Sequence, residues 1–540
     1  MMERFAELVD GLVYTRGRND KLALIADYLR TTPDPDRGWA LAALTGGLDF
    51  PAVKAGTVRT LLAERVDPVL WALSRDFVGD TAETASLLWP DPPRGVQDDV
   101  TASPSVSEVV DLLSNMTRSS VMAELPKLLD RLDSAGRYAL LKLATGGMRI
   151  GVSARLAKTA FAQAFDVSVE DVEEYWHALD PPFAPLFAWA AEGEPAPDTG
   201  AMPLFRPFML AHPLEGAVLD LADYAAEWKW DGIRVQLVHA GGETRLYSRG
   251  GDDITATFPE MAAAFAIPGV LDGELLVRGS HQGGERAHAQ AGAASFNALQ
   301  QRLGRKQVSG KMLTEYPAFV RLYDVLILGG DDLRELPWTE RRERLEALMP
   351  LLPGDRFDLS EVVPAAQFED LAQIRAGARD EAIEGLMLKR RDSPYVAGRR
   401  AGLWYKWKRD PLLIDCVLMY AQRGNGKRSS FYSDYTFGCW DGDPDAGAEL
   451  LPVGKAYSGF TDEELKRLDR HVRQHTVGRF GPVRETDKSL VFEVAFDSVH
   501  ASKRHKSGLA MRFPRIHRVR WDKPPHEADR IEALTALVRD

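Results

Sequence analysis

Residues 1–200 carry apolar positions at helical spacing. In LPKLLDRLDSAGRYALLKLATGG, Leu125, Leu128, Leu129 and Leu132 recur at intervals of three and four, which predicts a helix that Gly136 can end. Ser153 is placed to cap a further helix, ARLAKTAFAQAF, by offering its hydroxyl to the first unpaired amides. WPDPPRGVQDDVTASPS, residues 89–105, is rich in Pro, Gly and Ser and predicts a loop. The period changes after EGEPAPDTGAMP, residues 192–203. IRVQLVH sets Ile233, Val235 and Leu237 on one face and Arg234 and Gln236 on the other, the alternation of a half-buried strand. GVLDGELLV, FVRLYDVLIL and GLMLKR predict further strands, with helical pieces such as TERRERLEALM between them. From residue 411, LLIDCVLMYAQ, RGNGKRSS and FYSDYTFGCW predict strand, turn and strand, SLVFEVAFDSV another strand, and ADRIEALTALV a short terminal helix. The expectation is a multidomain chain: an all-α domain over 1–200, an α+β domain over 201–410 and a small C-terminal β-barrel over 411–540.

Composition adds bounds. The 540 residues are 45% hydrophobic and 27% charged, ordinary for a globular chain of several domains. No apolar run reaches the ~18 residues of a membrane span, and MMERFAELVDGLVYTRGRNDK does not resemble a secretory signal. The only cysteines, Cys416 and Cys439, exclude a four-cysteine zinc module and fit a reducing cytoplasm. A net charge of −12 argues weakly against nucleic acid. Local charge matters more, however, and Lys503 to Lys523 holds eight Lys/Arg against the single acid Asp522.

The candidate chemistry begins in AEWKWDGIRVQ, where Lys229 stands between Trp228 and Trp230 and is followed by Asp231-Gly232. A lysine is nucleophilic only when neutral, and desolvation or neighbouring cations favour that form. Those letters alone fit a hairpin turn carrying a snorkelling lysine better than they fit a nucleophile. Glu274 in LDGELLV and Glu384 in EAIEGLMLKR offer carboxylates for a divalent ion. Tyr323 offers a flat ring on which a base can stack. In WYKWKRD, Lys406 and Lys408 share one strand face with Trp404, and two lysines aimed at one place fit a polyphosphate.

Lys229-Trp-Asp-Gly-Ile-Arg234, Ser248-Arg249-Gly250, Asp272-Gly-Glu274, Tyr323-Asp324, Glu384-Gly385, Lys406-Trp-Lys408 and RFPRIHRVRWDK follow the order of the covalent nucleotidyltransferase motifs. The chain resembles an ATP-dependent DNA ligase. LATGGMRIGVSARLAKTAFA is similar to the helical DNA-binding domain that precedes the catalytic part in archaeal, many bacterial and eukaryotic replicative-type ligases, and RPFMLAHP to the lead-in of the adenylation domain. The resemblance implies a nucleotidyltransferase domain followed by an OB-fold. It implies that Lys229 captures AMP from ATP, passes it to the 5′-phosphate of a nick in duplex DNA, and that the 3′-hydroxyl then displaces it. Glu227 is expected at the adenine amino group, Tyr323 on the adenine face, and Arg234 and Arg249 at phosphates. Glu274 is expected at the ribose or a metal, Glu384 at the metal, Mg²⁺ with Mn²⁺ as substitute. Lys406 and Lys408 are expected at the triphosphate. Arg512, Arg515, Asp522 and Lys523 are expected to prepare pyrophosphate as leaving group, which requires the barrel to move about a hinge near Arg409-Asp410-Pro411. His517 and Trp521 depart from the usual last motif.

Gly424-Asn-Gly-Lys427 lacks the full phosphate-loop pattern and predicts a barrel turn, with Lys427 and Arg428 near DNA. The expected partners are nicked duplex DNA and DNA end-processing or replication proteins, with no membrane. A cytoplasmic, nucleoid-associated monomer is expected. An RNA ligase, a capping guanylyltransferase and an inactive DNA-binding scaffold are the alternatives.

Overall fold

The computed structural model describes residues 2–15, 17–78, 80–90, 103–146, 148–278, 293, 296–303, 305, 308–377, 382–424, 431–502 and 505–538. The residues expected to form the loop core at 91–102 and the barrel turn at 425–430, with Lys427 and Arg428, lie outside the described residues. The chain forms two compact units, one of Lys158–Asp410 and one of Met1–Ala157 with Pro411–Asp540.

The described residues between Met2 and Thr145 are mostly helical, from Met2–Tyr14 to Ser134–Ala144. The leucines at 125–132 do not form one helix ended by Gly136. Val121–Asp130 is one helix and Ser134–Ala144 the next, and Asp133 caps the second by accepting the Gly136 amide at 2.8 Å. Gly136 thus starts a helix. Ser153 caps Ala154–Phe165, accepting the Leu156 amide at 3.2 Å. Buried Lys21 donates to the carbonyls of Ile150 at 3.1 Å and Gly151 at 2.8 Å, tying the second helix, Arg18–Thr31, to the segment before that cap.

In the Lys158–Asp410 unit, helices up to Glu192 precede two larger sheets and a two-stranded one that pairs Met209–Leu210 with Gly398–Arg399. The first sheet runs His212–Pro213, Trp404–Lys408, Ile383–Arg390, Tyr224–Trp230. The second contains Glu243–Ser248, Ile233–Ala240, Gly269–Val277, Ala318–Leu328 and two short edges. Leu237, Leu271, Leu275 and Leu322 fill the core of the second sheet, and Trp228, Trp230, Leu386 and Leu388 that of the first. Arg341, on the helix Trp338–Leu348, is fully buried and paired with Asp324 at 2.8 Å, fixing that helix on the second sheet. The helix Val169–Tyr175 is tied to the sheets of this unit: Arg334 bridges Glu174, and Arg400 lies 3.7 Å from Glu170.

Asp231-Gly232 is not a hairpin turn. The lysine strand belongs to the first sheet and the following strand to the second, so the chain crosses between sheets at this dipeptide. The crossing is tight: a Cβ on Gly232 would lie 2.5 Å from the Leu275 carbonyl and 2.9 Å from Glu274 Cγ.

The C-terminal part is an OB-like β domain. Its sheet runs Leu450–Ala456, Tyr432–Trp440, Leu412–Arg423, Val483–Thr486, Thr476–Phe480, with Val491–Phe496 joining Leu412–Arg423 to Arg515–Arg520. The helix Asp462–Gln474 spans the barrel, started by a capping box of Thr461 and Glu464. Its Leu468 and Val472 enter the barrel core. Cys416 and Cys439 are buried free thiols. Among the described residues no helix is long and apolar enough to cross a membrane.

Candidate functional site

Strand alternation turns Trp228 and Trp230 into the core and Lys229 to the opposite face. The lysine is therefore not surrounded by the tryptophans that flank it in sequence. Its neighbour is Glu384. Ile383 pairs with Trp230 and Gly385 with Lys229, so Glu384 is the extra residue of a β-bulge. Gly385 has φ +145°, and a Cβ there would collide with the Trp407 carbonyl. The bulge aims the Glu384 carboxylate at Lys229 Nζ, 2.6 Å away, and at Lys408 Nζ, 3.1 Å away. Burial alone would raise the Glu384 pKa, but the two ammonium groups outweigh it and hold the carboxyl at about 2.

Lys408 and Lys406 share the face expected of them, because Gly385 pairs with Lys408 and Met387 with Lys406. Lys406 is half-buried and makes no ion pair among the described residues. Burial lowers its pKa, and the charges of Arg399, Lys408, Lys229 and Arg249 lower it further. These cations therefore sense one another around Lys406. Arg399 follows Gly398 on a two-residue strand and carries no motif signal, which is why sequence reasoning missed it.

Glu274 faces the same region from the second sheet. Its Oε1 accepts the Gly232 amide at 3.2 Å, so the crossing that places Lys229 also holds this carboxylate. Burial pushes Glu274 up to about 7, with the Glu384 charge adding to it, despite opposition from Lys229, Arg234 and the Gly232 amide. Two carboxylates facing one region offer hard oxygen donors of the kind a divalent ion takes.

Arg234 is placed differently from a free phosphate ligand. Its guanidinium grips fully buried Asp272 at 2.6 and 3.1 Å, donates to the Met209 carbonyl at 2.7 Å, and stacks over Phe208 at 4.3 Å. Tyr395 completes this cluster by donating to Asp272 at 2.7 Å. Arg249 is exposed in the loop after Glu243–Ser248. Tyr323 is half-buried, and the ammonium of Lys389 lies 4.7 Å from its ring and 4.7 Å from that of Trp404. Glu227 is buried and accepts from Lys389 at 2.9 Å. Lys389 is the second residue missed from sequence. It ends GLMLK, where alternation places it on the Met387 face, but nothing there marks it as buried.

The last-motif residues lie on the barrel with partners of their own. Arg515 reaches Asp497 at 3.4 Å, and Lys523 pairs with buried Asp415 at 2.7 Å. Asp522 is exposed and held by Arg520 at 2.9 Å. Arg512 ends the strand Leu509–Arg512, its guanidinium 5.0 Å from the Phe513 ring. His517 Nε2 is 3.7 Å from Glu493.

Residues 208–408 match the ATP dependent DNA ligase domain model, and residues 428–523 the ATP dependent DNA ligase C terminal region model. The chain is 32% identical over 580 residues to a "Probable DNA ligase" of Koribacter versatilis (strain Ellin345), covering 100% of this chain and 96% of that protein. It is 30% identical over 555 residues to "DNA ligase 1" of Korarchaeum cryptofilum (strain OPF8), covering 99% and 98%. A solved structure named "Pmar-Lig_Pre." superposes with a TM-score of 0.58 at 14% identity, covering 96% of this chain and 99% of that one, a likeness of fold. With relatives matched end to end and both catalytic-region models satisfied, the chain belongs to the family of ATP-dependent DNA ligases.

Proposed function

We propose that this ligase seals 5′-phosphate/3′-hydroxyl nicks in duplex DNA, with Lys229 carrying AMP between ATP and the DNA. The observation that carries this reading is the Glu384 carboxylate 2.6 Å from Lys229 Nζ and 3.1 Å from Lys408 Nζ, with Lys406 on the same strand face and Glu274 held at the adjoining sheet crossing. Phosphoryl transfer requires in-line positioning and charge neutralisation more than a strong base, and this array offers the positive charge.

Lys229, its ammonium proton given up to solvent, attacks the α-phosphorus of ATP; the P–N bond forms as the P–O bond to pyrophosphate breaks, and pyrophosphate leaves. Glu384, held at about 2, is a poor proton acceptor; it orients the two ammonium groups instead. The donor set of Glu274 and Glu384 fits Mg²⁺, or Mn²⁺ in its place, and such an ion supplies positive charge to both carboxylates and to the phosphates. Lys406 and Lys408 orient the triphosphate and later the bridging phosphate between AMP and DNA. Arg249 and Arg399 extend the cationic surface toward the nick phosphate. Arg234 acts one layer back, fixing Asp272 and the Tyr323 wall. Tyr323 stacks on adenine, while Glu227 and Lys389 face its edge. The 5′-phosphate then attacks the lysyl-AMP phosphorus, freeing the amine, and the 3′-hydroxyl displaces AMP.

Arg512, Arg515, Asp522 and Lys523 assist pyrophosphate departure, which requires Lys523 to leave Asp415 and Asp522 to leave Arg520. We assign duplex gripping to residues 1–200, adenylation to 201–410 and this assistance to the barrel, 411–540. The chain would act as a cytoplasmic, nucleoid-associated monomer beside replication or end-processing proteins. Contacts to backbone phosphates would make affinity fall with salt at a log–log slope of roughly −0.9 per phosphate neutralised. The test is Lys229→Ala on ordinary and pre-adenylated nicks. Loss on the first with sealing of the second supports the assignment; equal activity on both contradicts it.

A further inference from the structure

The helix Asp462–Gln474 carries a second cluster, on the barrel, that ligation does not use. Its apolar face is fixed in the barrel by Leu468 and Val472. One turn apart at its C-terminal end stand His471 and His475, with rings stacked 4.1 Å apart at 16°. Asp487, just after the strand Val483–Thr486, comes to meet them. Its amide donates to the His475 carbonyl at 3.0 Å, and its Oδ2 lies 2.6 Å from His475 Nδ1. Ser489 orients the other carboxylate oxygen through its amide, at 3.2 Å, and its hydroxyl. One donor atom from each of the three residues lies within 4.8 Å of the others. His471 Nε2 is buried without a hydrogen-bond partner among the described residues, a state that normally costs stability.

We propose that His471, His475 and Asp487 form a binding site for a divalent transition metal of the zinc class. Two imidazoles and a carboxylate suit zinc, whereas Mg²⁺ and Ca²⁺ take all-oxygen sets. Three protein ligands leave a fourth tetrahedral position for water. Ligand bonds of about 2.0–2.2 Å require the donors to draw inward. Rotation of these half-buried and exposed side chains suffices, and the His475–Asp487 contact then opens around the ion. Ser489 is the outer residue that fixes the carboxylate, as such sites require.

The site also touches the part of the last motif that departs from the usual pattern. His471 packs edge-on against Trp521 at 5.6 Å, and the Arg467 guanidinium lies over the same Trp521 ring at 3.9 Å. An ion on His471 would therefore stiffen the segment leading into Asp522 and Lys523. The proposal does not depend on how the nick is sealed.

The test uses the full chain, stripped with EDTA and dialysed against micromolar ZnCl₂, with bound zinc measured by mass spectrometry. The same protein loaded with Co²⁺ reports tetrahedral ligation through its visible absorption. Wild type should retain one equivalent and show a raised Tm. His471→Ala and Asp487→Asn should lose that equivalent and the cobalt band, Ser489→Ala should bind about tenfold more weakly, and Glu463→Gln, at an exposed position of the same helix, should retain zinc as wild type does. Asp487 is exposed, so its variant carries the test if His471→Ala fails to fold. Failure of wild type to retain zinc, or equal retention by wild type and Asp487→Asn, would overturn the proposal. Neither result bears on nick sealing.

Discussion

Glu274 gives the sharpest stability prediction. Its carboxyl is moved from 4.5 to about 7 in the fold, so an ionised Glu274 costs the folded state on the order of 3 kcal/mol. The sign follows from proton counting. Below 4.5 both states hold the proton and nothing is lost. Between 4.5 and 7 the unfolded chain releases it while the folded chain keeps it, so stability falls as pH rises. Above 7 the full cost applies. Glu274→Gln removes the charge yet keeps an oxygen to accept the Gly232 amide, now 3.2 Å from Oε1. In urea unfolding followed by tryptophan fluorescence, the variant should exceed wild type by under about 1 kcal/mol at pH 5 and by about 3 kcal/mol at pH 8. Mg²⁺ should narrow the pH 8 gap, because only the carboxylate gains a cation, while Lys229 adenylation should drop in the variant. A gap independent of pH, or a variant less stable at pH 8, refutes the electrostatic reasoning; a gap untouched by Mg²⁺ refutes the metal assignment.

The remaining expectations are briefer. Asp324→Ala leaves the Arg341 guanidinium buried without its carboxylate and should cost about 3–5 kcal/mol in the same urea assay; a loss under about 1 kcal/mol would show the pair to be dispensable. Gly385→Ala forces a side chain into φ +145°, so it should destabilise by about 1–3 kcal/mol and slow adenylation by displacing Glu384; wild-type labelling with α-labelled ATP would contradict the role given to the bulge. Lys406→Ala should lower the rate of adenylation about a hundredfold with an unchanged Tm, since no ion pair among the described residues is broken. A Tm loss matching the rate loss would make Lys406 structural instead.

Much of this was legible in the letters, and the failures have physical causes. Alternation placed Lys406 and Lys408 on one face, and the structure keeps them there. The same alternation separates Lys229 from its tryptophans, yet adjacency in sequence invited the opposite picture. Asp231-Gly232 has turn chemistry, but local residues do not specify which sheet receives the next strand. The Glu384 bulge depends on the pairing offset between Ile383 and Gly385, a tertiary property. Gly136 was misassigned because a glycine three residues after Asp133 sits in the first turn of a capped helix. The helix Asp462–Gln474 announced itself through Thr461 and Glu464, a readable signal that the strand-dominated surroundings concealed. Lys389 and Arg234 show the limit most clearly. Their burial against Glu227 and Asp272 follows from distant strands closing over them.

The whole account depends on which atom takes the nucleotide. Incubation with ATP and Mg²⁺, followed by peptide mapping of the denatured chain, reads this directly. The account predicts AMP on Nζ of Lys229 and on no other side chain; AMP found elsewhere with Lys229 unmodified contradicts it.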